Sequence, residues 1–324
     1  MRDSFGRDID YIRISITDRC NLRCRYCMPQ EGVKPLSHGE VLRYEEFLRV
    51  ANIATKLGIR HFKITGGEPL VRKGCLEFLR DFRRLPGVES LTLTTNAVLL
   101  EPLIPDFVRI KIDGINISLD SLSAERYYKI TRRDEFSTVW QALVKAVQAG
   151  LPVKINCVTL ADMPEDEILG FVRLAREMPI GVRFIEFMPS GVEQSIQGIC
   201  QEKVFSILLR EYPDLVQDRQ RRGFGPAVYF KSSEMLGSIG MINAVENCFC
   251  PGCNRVRLTS DGFLKLCLFC DDGVSLRDML RDGGSDLEIE KTLVRAILQK
   301  PERYQQSSGA GMDAHIKNMS RIGG

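Results

Sequence analysis

The chain is short of several things, and each shortage excludes something. Its formal net charge is only +3, too small to argue for a nucleic-acid-binding surface, although it leaves room for a local cationic pocket. No apolar run is long enough for a secretory signal or a spanning helix, because residues 1–16 interleave Arg2, Asp3, Arg7, Asp8, Asp10 and Arg13 with short apolar stretches. A cytoplasmic protein with neither membrane nor nucleic acid as a partner is expected. There is no G-x4-G-K-S/T motif, so a conventional phosphate-binding loop is not supported. Neither a fixed-period repeat nor a low-complexity tract stands out. Only the end, Ser307–Gly324, rich in Gly and Ser, reads as lacking regular structure.

What is present suits a soluble α/β protein. Apolar residues make up 44% and charged residues 27% of the 324 positions, near the averages for globular domains. The length accommodates one large α/β barrel of roughly 200 to 250 residues with a smaller appendage. Short β-branched segments predict strands near Ile12–Ile16, His61–Ile64, Ser90–Thr94, Gly114–Ser118, Pro152–Val158 and Val182–Phe187. Between them, 43–57, 74–84, 138–149 and 164–178 carry apolar residues three and four apart, and Gly58 and Gly150 stand where helix C-caps belong. The alternation predicts an α/β fold, a partial (β/α)6 TIM-like barrel whose reactive residues gather at the carboxyl ends of the strands. It stops after Pro189, where an irregular loop over 190–198 precedes a helix at 203–211 and a cysteine-rich segment.

Eleven cysteines in a chain with no export signal point to metal ligation or redox chemistry rather than a disulfide framework. Directly after the first strand comes Cys20-Asn-Leu-Arg-Cys24-Arg-Tyr-Cys27, a C-x3-C-x2-C spacing on one loop. Three thiolates leave one iron of a cubane open to a small molecule, unlike a fully ligated electron carrier. A structural zinc site and scattered buried thiols are the bland alternatives. Near the other end, Cys250-Pro-Gly-Cys253-Asn-Arg-Val-Arg257 is followed by Cys267, giving C-x2-C-x13-C. Cys270 extends this to C-x2-C-x13-C-x2-C, so a zinc ribbon is the rival there. Cys75, Cys157, Cys200 and Cys248 read as bystanders, since free cysteine commonly acts as a small buried hydrophobe.

The first motif, with Tyr26 just before its last cysteine, resembles the radical S-adenosylmethionine superfamily. The resemblance implies a 4Fe-4S cluster on Cys20, Cys24 and Cys27 that splits S-adenosyl-L-methionine to a 5'-deoxyadenosyl radical. Thr65-Gly66-Gly67-Glu68-Pro69 resembles the glycine-rich loop that meets the methionine amino group, and Tyr26, Gly67, Ser118 and Met188 match positions around S-adenosylmethionine. With the second motif, the chain resembles the GTP 3',8-cyclase family from 13-Arg-Ile-Ser-Ile-Thr-Asp-Arg-Cys-20 to the closing Ile322-Gly323-Gly324. That resemblance implies a lyase that starts molybdenum cofactor biosynthesis, with GTP as substrate and a second 4Fe-4S cluster on Cys250, Cys253 and Cys267. Residues 1–190 would form the radical barrel and 191–324 an α+β extension carrying the second cluster.

Arg13, Lys63, Thr94, Lys154, Arg183, Arg255, Val256 and Arg257 match substrate-contacting positions of the family, Arg13 being counted with the catalytic set as well. Lys63 departs from the usual Arg, exchanging a planar fork for a point charge, and Cys270 stands where the family has glycine. Strand alternation would turn Arg255 and Arg257 to one face beside the cluster. The resemblance further implies an electron donor such as flavodoxin or ferredoxin, a downstream cyclic pyranopterin monophosphate synthase, a homodimer, and a diglycine tail that enters the site. A radical peptide-modifying enzyme with an auxiliary cluster and a two-cluster electron carrier stay open as alternatives.

Overall fold

In the computed structural model, which describes residues 1–188, 195–220, 222–243, 249–303 and 322, the β-branched runs become six parallel strands. They are β1 (Tyr11–Ser15), β2 (His61–Thr65), β3 (Ser90–Thr95), β4 (Gly114–Ser118), β5 (Val153–Thr159) and β6 (Gly181–Glu186). They pair in sequence order, with Tyr11 beside His61 and His61 beside Ser90 at the entering ends. The helices between them are α1 (Tyr44–Lys56), α2 (Cys75–Arg84), α3 (Ile104–Ile110), α4 (Ala124–Thr131), α5 (Phe136–Gln148) and α6 (Glu165–Glu177). This is the predicted partial (β/α)6 barrel, with α3 and α4 in addition. Each is eight residues or fewer, too short to show a clear apolar period.

Gly58 and Gly150 do follow α1 and α5 with φ of +87° and +73°, the left-handed conformation that closes a helix cheaply only with glycine. The apolar stripes of the helices pack on the outer face of the sheet. Phe47, Val50 and Ala54 of α1 and Phe78, Leu79 and Phe82 of α2 are buried against Ile12, Ile14, Phe62 and Ile64. Each large side chain so buried contributes roughly 1.5–3 kcal/mol. The alternate strand positions, Arg13, Lys63, Thr92 and Lys154 among them, are thereby left for the inner face.

After β6 the chain adds α7 (Gln201–Glu211), β7 (Val216–Gln217), β8 (Val228–Lys231), β9 (Ser238–Ile242), β10 (Arg255–Leu258), β11 (Phe263–Lys265), β12 (Gly273–Ser275), α8 (Arg277–Arg281) and α9 (Asp286–Leu298). These strands continue the barrel sheet itself, on both edges. β9 pairs parallel with β6, β10 pairs parallel with β1, and the order runs β12-β11-β10-β1-β2-β3-β4-β5-β6-β9-β8-β7. Asn254, just before β10, accepts from Asp10 N and Tyr11 N, and β10, on which β11 folds back, is hydrogen-bonded to the first barrel strand. Among the described residues no helix is long and apolar enough to cross a membrane.

Candidate active site

The first cysteine loop leaves β1 at its carboxyl end, and the glycine-rich turn after β2 braces it. Gly67 donates its backbone N–H to Thr17 O at 2.7 Å, and Glu68 donates to Arg19 O at 2.8 Å. A Cβ on Gly67 would lie 2.4 Å from Arg19 O and 2.8 Å from Asp18 O, atoms that belong to backbone and cannot swing aside. Gly67→Ala should therefore push the loop out of place and cost roughly 1–3 kcal/mol of stability, read by chemical denaturation under anaerobic conditions.

Sequence reading passed over Glu68 as a working side chain. Its buried carboxylate accepts from Leu70 N (3.0 Å), Thr95 Oγ1 (2.7 Å) and Asn96 N (2.6 Å), while burial pushes it up to about 7. Asn96 in turn donates to Asn21 Oδ1 at 2.8 Å and to Cys20 Sγ at 3.8 Å. The loop thus inherits its position from the ends of β2 and β3. Tyr26 is anchored likewise: its hydroxyl donates to Asp120 Oδ2 at 2.6 Å, and Asp120 Oδ1 accepts from Val158 N at 2.8 Å. Burial pushes Cys20 up to about 11 and Cys27 to about 12, and raises Cys24 as well.

The second set stands at the other end of the strands. Cys253 precedes Arg255, which pairs with Tyr11 at the entering end of β1, and Cys267 follows Lys265, which leaves β11 toward the same end. Cys250, Cys253 and Cys267 line one cavity with Arg255, Arg257 and Lys300, as strand alternation predicts for the two arginines. Cys270 does not line it. Instead its thiol donates to Cys267, which with help from backbone donors and Lys300 holds Cys267 down to about 5 against burial. Burial raises Cys253 too, but Lys300, Arg255 and a backbone donor outweigh it and leave the thiol below its ordinary value. The two sets therefore differ: burial raises all three thiols of the first, while Cys253 and Cys267 of the second lie below the ordinary thiol value.

Between the two sets the inner face is cationic. Pairing places Arg257 beside Arg13 and Arg13 beside Lys63, and Lys154 beside Asn116 on the opposite wall. Arg183 donates to Asn116 Oδ1, and Asn116 Nδ2 donates to Thr94 Oγ1 at 3.5 Å. Burial among like charges pushes Arg13 down to about 9 and Arg257 to about 10. Arg13 Nε and Nη2, Arg183 Nε and Arg255 Nε are buried and meet no acceptor among the described residues. Buried unsatisfied donors of one charge are costly, and an anionic ligand would relieve them. Lys63, Lys154 and Arg183 open onto a cavity of about 1080 Å³.

Residues 218–220 and 222–225 also line this cavity. The Phe224 ring stacks on His61 at 3.3 Å, and Arg222 O accepts from Lys154 Nζ. Neither His61 nor Phe224 was legible as a site residue, since only the fold brings them together.

Three placements bear on the expectations. Val256 is buried in the core beside Ile12, because alternation turns it away from the face that Arg255 and Arg257 share, so any contact it makes with substrate is through backbone. Met188 follows the carboxyl end of β6 and packs against Phe269, in the company of Phe249, Leu268 and Ile322. Cys75 and Cys157 are buried bystanders, but Cys200 is exposed and bonded to Glu202. Ser118 lies at the end of β4 and pairs with Asn156. Cys248 and the Gly323-Gly324 tail lie outside the described residues, although the neighbouring Ile322 O accepts from Arg257 Nη1 at 3.4 Å.

Comparison with known proteins identifies relatives along the whole chain. Residues 14–175 match the Radical SAM superfamily, and residues 180–306 match Molybdenum Cofactor Synthesis C. The chain is 41% identical over 332 residues to GTP 3',8-cyclase of Moorella thermoacetica, covering 100% of both chains. It is 39% identical over 304 residues to GTP 3',8-cyclase of Clostridium perfringens, covering 94% of each. Among solved structures it resembles Streptococcus suis SuiB bound to S-adenosylmethionine, with a TM-score of 0.64 and 14% identity over 94% of this chain and 71% of that one. At that identity the likeness is one of fold alone.

Proposed function

The chain belongs to the GTP 3',8-cyclase family of the Radical SAM superfamily, and on that premise we propose how its residues divide the work. The reaction converts GTP to (8S)-3',8-cyclo-7,8-dihydroguanosine 5'-triphosphate, the first step of molybdenum cofactor biosynthesis. Cys20, Cys24 and Cys27 hold the first 4Fe-4S cluster, and Cys250, Cys253 and Cys267 hold the second. Among the described residues no three His, Cys, Asp or Glu side chains are grouped to hold a single metal ion, and each set instead offers three free thiols for a larger cluster. When bound, the first cluster and S-adenosylmethionine supply a 5'-deoxyadenosyl radical able to take the 3' hydrogen of GTP.

The rest is positioning. Tyr26, Gly67 and Ser118 border the S-adenosylmethionine site, and Met188 reaches toward it from the Phe269 side. Arg13, Lys63, Lys154, Arg183, Arg255 and Arg257 hold the triphosphate and ribose with charge-assisted hydrogen bonds, Thr94 adds a hydroxyl, and Val256 contributes backbone alone. Holding C3' near C8 converts ring closure into a step whose entropy is largely prepaid. Residues 1–190 do the radical chemistry, and 191–324 supply the second cluster and part of the substrate site. A flavodoxin or ferredoxin donates the electron, a cyclic pyranopterin monophosphate synthase takes the product, the chain works as a homodimer, and its free thiols suit the reducing cytoplasm.

The observation that carries this reading is the run of buried cations between two three-cysteine sets, in which Arg13 Nε and Nη2, Arg183 Nε and Arg255 Nε meet no acceptor among the described residues. Anaerobic incubation with GTP, S-adenosylmethionine and dithionite should give the cyclised triphosphate, and intact GTP after S-adenosylmethionine has been consumed would refute it.

A pH dependence follows from Lys154, which burial and the neighbouring Arg183 and Arg222 push down to about 8. Bound phosphate favours the ammonium form, so above that pH binding must take up a proton. The Kd for GTP should rise by up to about tenfold per pH unit above about 8, and Lys154→Met should bind more weakly at pH 7 with a flatter profile, both read by calorimetry.

A further inference from the structure

We propose that Lys300 is the built-in counter-charge of the second cluster and that it sets the reduction potential there. The proposal rests on the reading that Cys250, Cys253 and Cys267 hold an iron-sulfur cluster. Lys300 follows α9 and is 2% exposed, yet it forms no ion pair with a carboxylate among the described residues. Its Nζ donates to Leu266 O at 2.5 Å, the carbonyl just before Cys267. The same side chain lines the cavity that Cys250, Cys253 and Cys267 share. Nearby Lys265 shows the ordinary solution for a buried lysine in this hairpin, an ion pair with Asp271 at 2.9 Å.

Burying an ammonium without an anion is costly. Thiolates and the anionic cluster they bind are the charge available to offset it. A cluster gains negative charge on reduction, so a cation fixed beside its ligands favours the reduced state and raises the potential. The Leu266 carbonyl pins the ammonium, which keeps the charge from turning to solvent. Lys300 touches no reacting atom in this account, so it is a positioning residue acting through the ligands.

The test compares the anaerobically reconstituted full chain with Lys300→Met, which keeps the stem and removes the charge, and with Lys300→Arg. Iron and sulfide content and an EPR-monitored redox titration are read together. Lys300→Met should keep about eight irons and move the second cluster to a more negative midpoint while the first cluster stays put. Lys300→Arg should restore most of the shift. Loss of the second cluster in Lys300→Met with retention in Lys300→Arg would equally support the charge. An unmoved midpoint at full iron content would overturn the proposal, as would loss of the cluster or of folding in both variants, because shape rather than charge would then be at work. About four irons in the unmutated chain would instead overturn the cluster assignment beneath it.

Discussion

Cys24→Ala should stop 5'-deoxyadenosine formation, leaving S-adenosylmethionine intact to the level of a protein-free control when dithionite is present. The effect is total because a cluster at this site has three thiolates to hold it, and among the described residues no other cysteine borders the loop. Cys75 and Cys157 are buried in the core, and Cys200 is exposed and bonded to Glu202. The loop itself should keep its path, since Gly67, Glu68 and Asn96 brace Thr17, Arg19 and Asn21 through contacts that do not involve Cys24. Circular dichroism matching the parent, together with lost deoxyadenosine on chromatography, is the expected pair of results. Deoxyadenosine at the parental rate would remove the first-cluster assignment.

Cys253→Ala should separate the two halves of the reaction. Cleavage of S-adenosylmethionine depends on the loops that leave β1 and β2, whereas Cys253 lies at the entering end of β10. Deoxyadenosine should therefore still form, uncoupled from GTP, while cyclised product falls by roughly 10²-fold or more, the scale on which misplacing a reacting group acts. Product falling in strict proportion to deoxyadenosine would contradict the division of labour. The variant also bears on zinc: a ribbon would lose its ion and its fold, and the product with it.

The six barrel strands were legible because parallel strands buried on both sides leave a local record, a short run of β-branched residues followed by a polar or glycine-rich turn. The first cysteine set was legible for a similar reason, as all its ligands fall within one loop. What could not be read is what pairing assembles from afar. β9 is short and contains Gly240, and nothing local says that it will lie beside β6 or that β10 will lie beside β1. The extension therefore looked like an appendage, when it continues the barrel sheet on both edges. The same cause hid Lys300, which looks like one more charged residue after a helix until the fold sets it against Cys253 and Cys267.

Alternation identified the shared face of Arg255 and Arg257 but, applied consistently, also excludes the Val256 side chain from it. Cys270 is a finer case. Spacing alone leaves it open as a fourth ligand, and only the cavity shows three cysteines on its wall, with Cys270 outside it and bonded to Cys267.

The central claim is that both cysteine sets and the cations between them serve hydrogen removal from C3' of GTP, and one measurement addresses it directly. The reconstituted chain is incubated with S-adenosylmethionine, dithionite and GTP deuterated at C3', and the 5'-deoxyadenosine is weighed by mass spectrometry. Deuterium should appear in its methyl group alongside the cyclised triphosphate. Deoxyadenosine free of deuterium, formed while GTP is consumed, would contradict the account.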